Sequence, residues 1–169
     1  MKLYILRHGD AAEHGDPRYK ETERPLTPKG IKRTKLLAHA LRRMDVKFDA
    51  VLSSPLVRAR QTAELIVKGM QLEPGRLKLT DHLTPDGSME ELVHEISAIR
   101  PAPESVLLTG HEPYLSGFIS LLCTGGPGLH LIFKKGALCR LDVEEPSCHK
   151  CASLDWLVQP RLLGFNTAR

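Results

Sequence analysis

The 169-residue chain lacks any apolar stretch long enough to cross a membrane, a span that takes about 20 residues as a helix. A lysine and a short apolar run stand at its start, but Arg7, His8 and Asp10 interrupt that run too early for a signal peptide. The expected location is the cytoplasm, with no membrane partner. Cysteine is sparse: Cys123, Cys139, Cys148 and Cys151 do not make a disulfide framework in a chain of this size. No long run of basic residues accompanies the net charge of +4. The charge suits an anionic substrate, and a nucleic-acid partner is not expected. There is no internal repeat, and no carboxylate cluster of the kind that holds Mg²⁺ lies near the motifs that end the expected strands.

What is present is the composition of an ordinary globular protein, 41% apolar and 26% charged. A domain of roughly 150 residues removes about 70% of its unfolded surface from water. Residues 1–169 are therefore expected to form a single domain, and a monomer is the expected state.

Leu3-Tyr4-Ile5-Leu6 reads as a buried strand, and it ends abruptly in Arg7-His8-Gly9. Asp10 to Pro25 is a polar loop, long enough to suggest function. Thr27 is a plausible N-cap with Pro28 at the first helical position. Ile31, Thr34, Leu37, Ala38 and Leu41 follow at helical spacing, with a solvated basic face opposite. Phe48 to Leu52 reads as a second strand, followed by Ser53-Ser54-Pro55 and a helix from near Leu56 with Arg58 in its first turn. Leu77 to Leu79 is a short third strand and Asp81 to Gly87 a turn-rich loop. Ser88 and Glu91 form a capping-box pattern for a helix over Ser88 to Ile99. Val106-Leu107-Leu108 suits a central strand covered on both faces; it leads into Gly110-His111-Glu112-Pro113 and a helix over Tyr114 to Leu122. Ala137 to Val143 and Ala152 to Val158 are two late strands, and the tail from Gln159 has no clear pattern. Strand-helix alternation of this kind predicts an α/β fold, a three-layer sandwich with a mostly parallel central sheet and helices on both faces.

In a parallel sheet the carboxyl ends of strands lie on one edge, where ligands bind. Arg7 and His8, Arg58, and His111 would converge there. Arginine presents a fork of donors matched to phosphate, and a neutral histidine pointed in line is a competent nucleophile. With no Mg²⁺ cluster in view, metal-free phosphoryl chemistry is the favoured reading, with no cofactor. Each residue also has a plainer reading: His8 as a satisfied core histidine, Arg58 as helix surface, His111 as a strand-end cap, Glu112 as a first-turn acid favoured by the helix dipole.

Three motifs in order, Arg7-His8-Gly9, Ser54-Pro55-x-x-Arg58-Ala59-x-Gln61-Thr62 and Gly110-His111, resemble the signature of the histidine phosphatase (phosphoglycerate mutase-like) superfamily. Arg24-Pro25-Leu26-Thr27-x-x-Gly30 and Gly110-His111-Glu112-Pro113-x-Leu115-Ser116 resemble its small SixA-type phosphohistidine phosphatases. The resemblance implies that His8 forms a phosphohistidine intermediate while Arg7, Arg58 and His111 grip the phosphoryl oxygens. Arg24 is either a further phosphate contact or a structural ion-pair residue. The implied general acid is a carboxylate, with Glu112, Asp81 and Asp86 as candidates. The implied substrate is a phosphohistidine protein or a small phosphate ester. A sugar-phosphate phosphatase or mutase of the same superfamily, and a phosphoprotein-binding module without catalysis, are the alternatives.

Cys148-His149-Lys150-Cys151 resembles half of a zinc site, but Cys123 and Cys139 are isolated in sequence and no metal is expected. His39, His82, His94 and His130 are expected at the surface. Gly125-Gly126-Pro127-Gly128 reads as a turn, because no helix start with Lys-Ser/Thr follows it.

Overall fold

The apolar strands pair into one six-stranded sheet in a computed structural model that describes residues 1–163. The strands are β1 (Lys2–Arg7), β2 (Ala50–Ser53), β3 (Leu77–Leu79), β4 (Ser105–Gly110), β5 (Leu138–Val143) and β6 (Ala152–Val158). Four helices connect them: α1 (Pro28–Arg43), α2 (Val57–Gly69), α3 (Met89–Ser97) and α4 (Tyr114–Thr124). The order across the sheet is β3-β2-β4-β1-β5-β6. Pairings from β3 to β1 are parallel, and β5 joins β1 antiparallel, as β6 joins β5. The α/β sandwich expected from the alternating elements is the one observed.

The period of two along each strand sorts side chains between two cores. Leu3 and Ile5 of β1, with Val106 and Leu108 of β4, face α3 and α4, where Leu92, Ile96, Leu115 and Phe118 are buried. Tyr4, Leu6 and Leu107 point the other way, onto Leu37, Leu41, Ala63 and Ile66 of α1 and α2. β4 is buried along its whole length, as a strand between two helical layers must be.

The helix signals work as expected. The Thr27 hydroxyl accepts from the Gly30 amide, with Pro28 at the first helical position, and the Ser88 hydroxyl accepts from the Glu91 amide. Several boundaries shift by one or two residues; α4 runs on past Leu122 to Thr124, and β5 starts at Leu138 rather than Ala137. The second strand starts at Ala50 rather than Phe48, and Phe48 is a fully buried residue ahead of it. The third helix ends at Ser97 rather than Ile99. The tail from Gln159 contains a helical turn over Pro160–Leu163, and residues 164–169 lie outside the described residues.

The Asp10–Pro25 loop is tied down at both ends. Ala11 bridges to Leu26, and the Thr27 amide donates to the Asp10 carbonyl at 2.9 Å. A Cβ on Gly30 would sit 2.1 Å from that carbonyl, so only glycine lets the loop lie this close on α1. The loop itself is more structured than its polarity suggests, with a helical turn at Glu21–Glu23.

The four cysteines are free. Cys123 is not isolated from Cys148 and Cys151: all three pack on the core cluster that contains Cys139, and the Cys151 amide donates to Leu122 at 2.9 Å. Among the described residues, no three His, Cys, Asp or Glu side chains are arranged to hold a metal ion. Nor is any described helix long and apolar enough to cross a membrane.

Candidate active site

β2, β4 and β1 are neighbours and parallel, so the three motifs that end them must meet. The ladder continues one residue past each end. The His8 amide donates to the Gly110 carbonyl at 3.1 Å and the Ser54 amide to Thr109 at 3.0 Å. Both histidines are buried, and their ring centroids are 5.1 Å apart.

The hydrogen bonds of His8 define its tautomer. Its Nδ1 lies 2.8 Å from the Gly9 carbonyl, which can only accept. Nδ1 therefore carries the proton and Nε2 keeps its lone pair. Burial, with additional repulsion from His111, Arg58 and Arg7, holds the His8 pKa down to about 3. His111 is also held to about 3, by burial first and then by Arg58, Arg7 and Arg24. Both rings are neutral at neutral pH. His111 Nε2 is 2.9 Å from the Ser54 hydroxyl.

Arg7 donates from Nη1 to the Phe133 carbonyl at 2.7 Å, which fixes its guanidinium at the end of β1. Burial lowers its pKa from the ordinary arginine value, and Glu112 opposes the shift. Arg58 stands in the first turn of α2, which contains no acidic residue, so its charge adds to the positive end of the helix dipole. Its Nη1 donates to the Glu21 carbonyl at 2.9 Å, and Nη2 is 3.5 Å from the Glu21 carboxylate. Thr62 joins the two elements: its hydroxyl donates to the Arg58 carbonyl at 2.7 Å and accepts from the Gly9 amide at 3.1 Å. Arg7 Nε, Arg58 Nε and His111 Nδ1 are buried without a protein partner among the described residues.

Arg24 is an ion-pair residue in this structure. Its Nε donates to Glu21 Oε2 at 2.8 Å, its Nη2 pairs with Oε1, and its Nη1 donates to the Ala12 carbonyl. It nonetheless lies close enough to lower the pKa of Arg58 and His111. The carboxylate candidates separate. Glu112 accepts from the Ser116 amide at 2.9 Å, in the helix-start role of its plainer reading, yet is near enough to act on Arg7. Asp81 and Asp86 are exposed, and neither carboxylate bonds a member of the cluster among the described residues.

Glu21 is the member that the motifs do not reveal. Hydrogen bonds from Arg24 hold its carboxyl down to about 2, with His14, on its outer side, and Arg58 reinforcing the shift. The only sequence signal is its position three residues before Arg24. Gly9 serves close packing rather than a left-handed turn. Its φ is not positive, and a Cβ there would meet Thr34 Oγ1 of α1 at 3.0 Å.

The cluster is a neutral histidine with an available lone pair, ringed by arginines and a second histidine. Residues 3–84 match the profile of the histidine phosphatase superfamily (branch 1). Over 126 residues the chain is 32% identical to the phosphohistidine phosphatase SixA of Escherichia coli, a match covering 74% of this chain and 76% of that one. The chain belongs to the histidine phosphatase superfamily. This histidine phosphatase is also 39% identical over 140 residues to an uncharacterized protein of Picosynechococcus, 82% of each chain. Its fold matches the structure of the protein histidine phosphatase SixA complexed with tungstate at a TM-score of 0.83, with 29% identity over 96% of this chain and 99% of that one. It is a phosphatase of this superfamily.

Two buried histidines with lowered pKa values make the stability of the phosphatase depend on pH. The unfolded chain takes up protons on both as pH falls below about 6.5, while the folded state resists until near 3. Their contribution is complete above about pH 6.5 and is lost progressively below it. The urea midpoint is expected to fall between about pH 7 and about pH 5, and a His8→Asn variant should show a shallower fall.

Proposed function

We propose that this phosphatase hydrolyses phosphohistidine on a protein, without a metal, through a covalent intermediate on His8. The observation that carries the reading is the His8 ring itself. Its proton is held on Nδ1 by the Gly9 carbonyl, and its neutral Nε2 shares a small space with Arg7, Arg58 and His111.

Nε2 attacks phosphorus, and a new P–N bond forms as the bond to the leaving group breaks. Arg7, Arg58 and His111 donate to the three non-bridging oxygens as charge shifts onto them. A loose phosphoryl-transfer transition state asks chiefly for such positioning and positive charge. If the Ser54 hydroxyl donates to His111 Nε2, the ring proton sits on Nδ1 and is available to the phosphoryl group. Water then attacks the phosphorylated His8, which releases inorganic phosphate and restores the free ring. When the substrate is phosphohistidine, the leaving imidazole departs readily once its ring is protonated. Glu112 is the candidate for supplying a proton to poorer leaving groups, since it alone of the three carboxylates lies near Arg7.

The test compares a phosphohistidine protein with p-nitrophenyl phosphate in excess EDTA. Turnover of both is expected, with kcat/KM higher for phosphohistidine by about tenfold or more. Preference for the ester would move the assignment to small phosphate esters. Loss of activity in EDTA with recovery on adding metal would remove the metal-free mechanism. No turnover of either would leave a phosphoprotein-binding module.

A further inference from the structure

We propose that the basic groove beside Arg7 docks acidic side chains that flank the phosphorylated residue of a protein substrate. The proposal rests on the reading above that the substrate is a protein. The groove has a volume of about 340 Å³ and is lined by Arg7, Asp10, Arg33, Lys134, Lys135 and Arg161. Its single carboxylate, Asp10, is already paired with Arg33 at 3.0 Å. Lys134 and Lys135 are exposed, and neither forms an ion pair among the described residues.

The lysines are held where they are. The Lys134 amide donates to Gln159 Oε1 at 3.3 Å, and the Gln159 amide group donates to the Ile132 carbonyl. Just beyond them, the Gly136 amide donates to the carbonyls of Arg7 and His8 at 3.1 and 2.9 Å. The segment that bears them is thus bonded to the two residues at the centre of the phosphate site. An anion in the groove needs no loop to be ordered first, which limits the entropic cost of binding.

Arg7 belongs to both the groove and the phosphate cluster, so the two are continuous. An extended chain advances about 3.3–3.6 Å per residue. A carboxylate one to three positions from the phosphorylated residue can therefore reach the groove. The cations come from four separate elements: β1, α1, the segment before β5, and the turn after β6. Charge spread in this way suits several carboxylates on a polypeptide better than one compact anion.

The test uses Lys134→Glu/Lys135→Glu and two synthetic phosphohistidine peptides that differ only in flanking glutamates or glutamines. The wild type is expected to favour the Glu peptide by about tenfold in kcat/KM at low salt, with the preference shrinking as salt rises. The double variant should lose or reverse the preference. Its hydrolysis of p-nitrophenyl phosphate at high salt should stay within about twofold, since both side chains are exposed and form no ion pair among the described residues. Equal use of the two peptides by the wild type, or a preference intact in the variant, overturns the proposal.

The unphosphorylated Glu peptide, used as an inhibitor of p-nitrophenyl phosphate hydrolysis, separates the groove from the substrate assignment. If neither phosphohistidine peptide is hydrolysed yet this peptide inhibits the wild type and not the variant, the groove stands and the phosphohistidine assignment falls. If it does not inhibit and no preference exists, the groove is overturned.

Discussion

His8→Ala is expected to lower kcat on a phosphohistidine peptide by at least about 10⁴-fold, because in the proposed mechanism it removes the atom that bonds to phosphorus. His111→Ala is expected to cost about 10²- to 10³-fold, the usual loss when one donor to a developing charge is removed. The two histidines are alike in burial and in pKa, so rate alone would not assign them their roles. Their hydrogen bonds differ. His8 is fixed through Nδ1 by a carbonyl, which leaves a lone pair on Nε2. His111 has its Nε2 engaged by Ser54. Rapid alkaline quenching with a radiolabelled substrate reads the difference directly. Wild type and His111→Ala should trap an acid-labile, base-stable phosphoenzyme, and His8→Ala should trap none. Label retained in His8→Ala and lost in His111→Ala would exchange the two roles.

Much of this candidate site is legible in the sequence, for a definite reason. A strand buried on both faces is apolar along its length, so the places where the apolar runs stop, at Arg7, near Ser54 and near Gly110, mark the sheet edge in the sequence itself. Parallel pairing then puts the ends of β1, β2 and β4 together. Thr27 and Ser88 were legible because a cap is a local bond, spanning three residues in each case. What stayed hidden depends on contacts distant in sequence or on backbone groups. The carbonyl that holds Arg7 comes from Phe133, and a carbonyl leaves no mark on side-chain identity. Glu21 lies in a polar loop where an acid is unremarked, and only folding brings it onto Arg58, 37 positions away. The approach of Cys151 to Cys123 likewise depends on how the turn between β5 and β6 packs on α4.

Arg58→Ala is expected to reduce kcat/KM by about 10³-fold, and Arg58→Lys to restore only part of it, because a lysine has no planar fork to match two phosphoryl oxygens. A second effect separates loss of a ligand from loss of structure. The charge of Arg58 helps to hold down the pKa of both His8 and His111. Without it, protonation of His8 becomes easier, so its pKa rises and the ring loses its nucleophilic lone pair at a higher pH. The acid limb of kcat/KM against pH should therefore move upward in Arg58→Ala and much less in Arg58→Lys, which keeps the charge. Stability should not fall in parallel. Arg58 is buried against its own desolvation cost, and its carboxylate partner Glu21 remains half-exposed and paired with Arg24. Because Glu21 keeps its solvent contact and Arg24, no buried charge is left unpaired, so any fall in the urea midpoint at neutral pH should be modest beside the loss in kcat/KM. An acid limb that does not move in Arg58→Ala would mean that its charge does not reach the nucleophile. Arg58 would then serve to bind phosphate and leave His8 to be tuned by burial, His111 and Arg7.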